Sequence, residues 1–257
     1  MALRTQRFAR AFSREDGRER IAVPLWRGIL YALGSIAIGF AATFVTMIVL
    51  VIAVVLATGE MPSKTPGHPL MAISEMLFYI AGGWFAWRGL RALGVRPFRA
   101  LTRRDARTIL IGVAGLLALR IGTALLLVLT DQTKHVQAGF EHFDVTSKLP
   151  GITTFSTVLA VVSLVVIAPV VEEIVFRGLL FGALASRLGI LASTVITALL
   201  FGAIHADPVL FPSLAALGII TALAYTTTGN LWVAIILHAL NNSLGAVVLI
   251  ATSLTKH

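Results

Sequence analysis

Two adjacent carboxylates, Glu172 and Glu173, are followed by Arg177 inside a stretch that is otherwise apolar, Val170 to Gly178. A charged side chain near the centre of a bilayer costs at least ~2.5–3.5 kcal/mol on insertion scales, so an ionisable residue there is a functional-site hypothesis by default. On a helix Glu173 and Arg177, at i and i+4, can pair, whereas Glu172 is turned away by about 100° and shares its face with Phe176. The two carboxylates are therefore expected to do different work: Glu173 held as an ion by Arg177, Glu172 left as a general base. A charge-neutralised packing motif is the plainer reading, but it has no use for the second carboxylate.

Two later apolar segments carry partners of matching chemistry. Phe201 and His205 stand at i and i+4 on one, His238 and Asn242 at i and i+4 on the other. Taken singly, a histidine in a membrane helix is usually a packed residue and an asparagine is glue between helices. Together with the glutamates they supply a base, two imidazoles and an amide donor, the inventory for activating water and stabilising a tetrahedral oxyanion. Asn241 also falls near the face of His238 at i+3, and Asp207, before Pro208, reads as a turn or capping residue.

In this order, Glu-Glu-x-x-x-Arg, Phe-x-x-x-His and His-x-x-x-Asn resemble the CAAX protease and bacteriocin-processing (abortive infection) family of intramembrane endopeptidases, which includes the type II CAAX prenyl endopeptidase. The resemblance covers about Ile152 to Ile250; the N-terminal spans match only in being membrane helices. It implies that Glu172, with His205, activates the attacking water, that His238 and Asn242 hold the oxyanion, and that Glu173 and Arg177 shape the site. Its spacing favours Asn242 over Asn241. A metallo-type site is the alternative, with Zn²⁺ on Glu172, His205 and His238 and one open position. There is no His-Glu-x-x-His, and the family looks like a metal-free glutamate protease, so no cofactor is the favoured expectation. The chain has no cysteine, hence no thiolate nucleophile or thiolate ligand. It also lacks a Gly-x-Ser-x-Gly elbow and the Gly-x-Gly-Asp of intramembrane aspartyl proteases.

The elements that must position these groups are membrane helices. Of 257 residues, 57% are hydrophobic and 13% charged, and the mean hydropathy is +0.90, which excludes an ordinary soluble domain. The formal charge of +9 resides in arginine clusters beside apolar segments without aromatic interleaving, a pattern of membrane orientation rather than of nucleic-acid binding. Residues 1–27 form a basic arm expected in the cytoplasm. Gly28 to Ala57 is a first span, far longer than the ~7–15 residues of a signal-peptide core. A short loop, Glu60 to Gly67, leads to Leu70–Trp87, which carries Glu75 and ends in the interfacial Trp84 and Trp87. A second arginine cluster, Arg88 to Arg107, agrees with the arm in being cytoplasmic.

Ile109 to Thr130 is the third span, with Arg120 near its middle, expected to be matched by Glu75, a backbone carbonyl or a water-filled cavity. After an extracytoplasmic loop, Asp131 to Pro150, the chain runs apolar from Ile152 to Leu188 and should kink at Pro169, one turn before the carboxylates. Ile190–His205, Phe211–Thr228 and Leu231–Ile250 complete an all-α polytopic bundle of seven spans, or eight if Gly178 to Leu188 crosses separately. No internal repeat divides it, and residues 28–257 read as one membrane domain with the protease core at about 152–250. Alternating topology raises one difficulty. His205 falls toward the far side and His238 two turns from the cytoplasmic Gly229-Asn230 turn, so a long tilted helix or a re-entrant segment must bring them to one depth.

The expected function is hydrolysis of a membrane-associated peptide or protein in the bacterial inner membrane, with the N-terminus cytoplasmic and lipid, not nucleic acid, as the surroundings. Other readings are a bacteriocin self-immunity protein, a non-catalytic membrane adaptor, or a proton-coupled transporter using the same carboxylates and imidazoles as a relay.

Overall fold

The computed structural model describes residues 23–59, 69–133 and 158–254. Nearly all of the basic arm, the Glu60–Gly67 loop, most of the Asp131–Pro150 loop and the expected helix start at Ile152 lie outside them. Among the described residues six helices follow one another: α1 (Leu25–Thr58), α2 (Pro69–Ala92), α3 (Arg103–Leu129), α4 (Val158–Ala203), α5 (Phe211–Thr228) and α6 (Leu231–Leu254). No strand occurs among the described residues. By length and composition α1, α3, α4 and α5 can each cross a membrane, and Leu231–Val247 of α6 is a shorter apolar helix. Phe40, Phe44 and Leu56 on α1 and Ile121 and Leu129 on α3 lie exposed, as side chains that meet lipid do.

The first two helices form a tight antiparallel pair because small residues sit where large ones arrive. A Cβ at Gly34 would come within 2.5 Å of Phe85, and one at Gly39 within 2.7 Å of Phe78. Ser35 Oγ donates to the Gly82 carbonyl at 2.6 Å across the same seam. In lipid, where hydrophobic burial cannot drive association, such close backbone approach and interhelical hydrogen bonds carry the packing.

At one end of the bundle the connection from α2 to α3 is locked to the corner between α5 and α6. Thr102 and Asp105 form a capping box at the start of α3, and Arg99 grips both Asp105 oxygens at 2.7 and 3.1 Å. Arg99 also donates to the Thr228 carbonyl at 2.9 Å. The Leu231 N–H donates to Pro97 O at 2.8 Å, and Asn230 Nδ2 to Arg99 O at 3.2 Å. Gly229, at φ 67°, makes the left-handed turn that ends α5 at this corner.

Helix α4 departs from a regular α-helix on both sides of the glutamates. The Ala168 N–H reaches back to Ser163 O, an i→i+5 bond that closes a π turn over Ser163–Ile167. Pro169 follows with no N–H to give, so the expected disturbance at this proline is a widened turn. A second π segment, Ile174–Phe181, begins directly after Glu173. Gly189, at φ 78° and ψ 170°, then breaks the helix into residues 158–188 and 190–203, as the separate Leu188 and Ile190 segments anticipated.

The long first arm of α4 brings the carboxylates within reach of α6. Leu231, at the start of α6, packs beside Gly178, and α4 continues for ten further residues, about 15 Å, before Gly189. Beyond Gly178 it meets the start of α1, where Ala183 packs on Gly28. The α5–α6 corner is thus recessed into the bundle. His238, seven residues past Leu231, comes level with Glu173, five residues before Gly178.

Candidate active site

Glu173 and Arg177 are completely buried, and Glu172 and His238 are 9% and 2% exposed. Arg177 Nη1 donates to Glu173 Oε1 at 3.0 Å, the pair expected from their spacing. Nη2 donates to the Gly218 carbonyl of α5 at 2.9 Å. The guanidinium carbon lies 5.0 Å from the centre of the Phe201 ring and 5.8 Å from that of Phe176, so aromatic faces complete its desolvated shell. Arg177 Nε and Glu173 Oε2 remain buried without a protein partner.

His238 joins the two carboxylates. Its Nδ1 lies 3.0 Å from Glu173 Oε1, and its Nε2 lies 3.7 Å from Glu172 Oε2. The first is a hydrogen bond, in which Nδ1–H donates to the carboxylate; the second is too long to be one. Glu172 is held from its other side, where Tyr79 OH on α2 donates to Oε1 at 2.9 Å. The glutamates are thereby distinguished: Glu173 is saturated on one oxygen by Arg177 and His238, and Glu172 keeps the partial exposure.

Asn242 has a different immediate partner. In the π turn the natural donor to Leu164 O is residue 169, and proline has none, so that carbonyl would be an orphan in an apolar span. Asn242 Nδ2 takes it at 2.9 Å, and Asn241 Nδ2 donates to Asn242 Oδ1 at 3.2 Å. Arg120 donates through Nη2 to the Asn241 carbonyl, the backbone match among those expected for it. The asparagines are thus braced from α4 and α3.

His205 lies in the turn after Ala203 and is exposed. Its Nδ1 sits 2.7 Å from Phe201 O. A carbonyl only accepts, so Nδ1 carries the hydrogen, and in the neutral ring Nε2 holds the lone pair. The ring lies 5.0 Å from that of Phe201, which in turn lies 5.4 Å from His238 and 5.2 Å edge-on from Phe176. His205 therefore adjoins the carboxylate cluster across the Phe201 ring. Among the described residues no group of three His, Asp or Glu side chains gathers in metal-binding geometry. Asp207 does act in the turn: its Oδ1 accepts the N–H groups of Val209 and Leu210 at 2.9 and 3.0 Å.

The family resemblance reached the N-terminal spans only as membrane helices, and Tyr79 of α2, which holds Glu172, was not among the candidate site residues. The available signal was a tyrosine in mid-span, whose hydroxyl must find a partner when buried, one turn after Glu75 on the same helical face.

A family model described as type II CAAX prenyl endopeptidase, Rce1-like, matches residues 154–244, the stretch holding all three motifs. YdiL of Bacillus subtilis, named as a candidate membrane peptidase, is 33% identical over 78 residues, 30% of this chain and 32% of its own. The membrane-embedded CAAX protease MroQ of Staphylococcus aureus is 36% identical over 83 residues, 30% of this chain and 34% of its own. The chain thus spans about a third of the length of these curated relatives. No solved structure matches it.

Proposed function

From a chain whose residues 154–244 are Rce1-like CAAX endopeptidase in sequence, we propose an intramembrane endopeptidase that hydrolyses a membrane-associated peptide or protein with water activated by Glu172. The observation that carries this reading is the Glu172 carboxylate, fixed at Oε1 by Tyr79 and turned at Oε2 toward His238 Nε2 inside a membrane helix. With Nδ1–H committed to Glu173, a neutral His238 would face Glu172 acceptor to acceptor. A proton on His238, or a water donating to both groups, resolves this. With His238 protonated, Glu172, Glu173, Arg177 and His238 sum to zero charge, the favourable count for a buried cluster.

Glu172 Oε2 accepts a proton from water as the water oxygen bonds to the scissile carbonyl carbon, with His205 Nε2 as second acceptor. The carbonyl oxygen becomes an oxyanion held by His238 Nε2–H and by the second Nδ2 hydrogen of Asn242. The tetrahedral species collapses as the C–N bond breaks, and the proton on Glu172 passes to the leaving amine, restoring the carboxylate. Glu173 and Arg177 act behind this exchange by fixing His238. No metal enters these steps. We further propose seven or eight crossings of the bacterial inner membrane, with the arm 1–27 in the cytoplasm and residues 28–257 as one membrane domain.

The test compares new peptide termini in membranes expressing wild type, Glu172→Gln and His205→Ala, with and without a zinc chelator. Termini that need both residues and survive chelation support the glutamate mechanism. Loss on chelation with recovery on added Zn²⁺ replaces it with metal hydrolysis. Termini indifferent to Glu172 remove the peptidase reading and leave an adaptor or transporter.

A further inference from the structure

We propose that the active site is completed from outside the Rce1-like segment, with Tyr79 of α2 as the positioning residue that sets the Glu172 carboxylate. The inference rests on the hydrolytic reading for its role in rate, and on geometry alone for the contact. The hydrogen bond from Tyr79 OH to Glu172 Oε1, at 2.9 Å, joins residues far apart in the chain and on separate helices. A second feature independently brings α2 to this place. A Cβ on Gly83 would fall 2.6 Å from Val171 Cγ2, so only glycine lets α2 lie against the residue preceding Glu172. Gly83 and Tyr79 are four residues apart, and one face of α2 both makes the close approach and delivers the hydroxyl.

A glutamate has several staggered rotamers, and a general base must present one oxygen to its water. Tyr79 occupies Oε1 from the side of α2, which leaves Oε2 facing His238. The tyrosine ring is itself oriented, lying edge-on to Phe78 with centroids 5.2 Å apart, and Phe78 packs against Gly39 of α1. The hydroxyl is therefore placed by the α1–α2 pair, which the family match does not include. Tyr79 need not touch the substrate. It acts through Glu172 and is a positioning residue in that sense.

The experiment uses the full chain in detergent or nanodiscs, with Tyr79→Phe and Gly83→Ala beside wild type and Glu172→Gln. The infrared carboxyl band lost in Glu172→Gln identifies Glu172 without need of a substrate. Tyr79→Phe, which keeps the ring and removes only the hydroxyl, is expected to shift that band. Cleavage at a Glu172-dependent terminus is expected to fall in kcat by about tenfold or more, KM unchanged, as for a lost hydrogen bond to a charged reacting group. Gly83→Ala, with Tyr79 intact, should reproduce both changes by moving α2 away. An unshifted Glu172 band, or a shifted band with undiminished kcat, overturns the proposal. If wild type shows no Glu172-dependent cleavage, the hydrolytic reading fails separately, and the band still decides whether Tyr79 holds Glu172.

Discussion

Arg177 illustrates how unevenly the buried charges are compensated. It satisfies Glu173 and a carbonyl of α5 at once, yet one nitrogen of its own and one oxygen of Glu173 stay unpartnered. Removing the guanidinium alone strands a fully buried carboxylate, so Arg177→Met should destabilise the protein by about 3–5 kcal/mol, the usual cost of breaking a buried pair on one side. Adding Glu173→Gln should recover part of that loss. Thermal unfolding of the two single variants and the double variant in detergent measures the coupling, and a double variant no more stable than Arg177→Met would contradict it. Arg177→Lys should behave as a loss too, since an ammonium cannot span Glu173 and Gly218 O with the same planar fork.

Helix α4 is the element on which the site depends, and its irregularities have separable causes. The upstream π turn exists where Pro169 withholds an N–H and Asn242 accepts responsibility for Leu164 O. Pro169→Ala restores a donor at that position and should let the turn contract toward α geometry, freeing the Asn242 amide from α4. The expected result is lower Glu172-dependent cleavage without loss of thermal stability, because proline in a helix interior costs ~3 kcal/mol that alanine does not. Unchanged cleavage would mean that the Asn242 brace is dispensable. The break at Gly189 has a backbone cause alone: nothing lies within 4 Å of a Cβ there, but the left-handed φ remains. Gly189→Ala should therefore cost on the order of 1–3 kcal/mol by strain, read from the unfolding midpoint.

For the whole molecule, the recessed α5–α6 corner and its clamp to residues 93–102 define one end of the bundle, and the end of α3 defines the other. The absence of cysteine makes this testable, since a single engineered thiol is the only thiol. With intact cells and a membrane-impermeant maleimide, Thr133→Cys should be labelled and Ala100→Cys should label only after the cells are opened. The reverse pattern would invert the proposed orientation, which rests on arginine clusters flanking short loops.

The sequence by itself determined the helical membrane class, the Glu173–Arg177 pair, the turn at Asp207 and the six residues to watch, because hydropathy, i to i+4 spacing and turn chemistry are local. It also contained the depth problem and named a long helix through Glu172 as one way out. Tertiary structure decided what local spacing cannot encode. Tyr79 reaches Glu172 only because Gly83 admits α2 against Val171, and Asn242 spends an amide hydrogen on α4 because Pro169 leaves a carbonyl bare. His238 meets both glutamates because α6 begins beside Gly178, part-way along α4, an offset set by the clamp from Pro97 and Arg99. Each is a meeting of residues remote in the chain, fixed by how closely two helices approach and how far one is displaced along another.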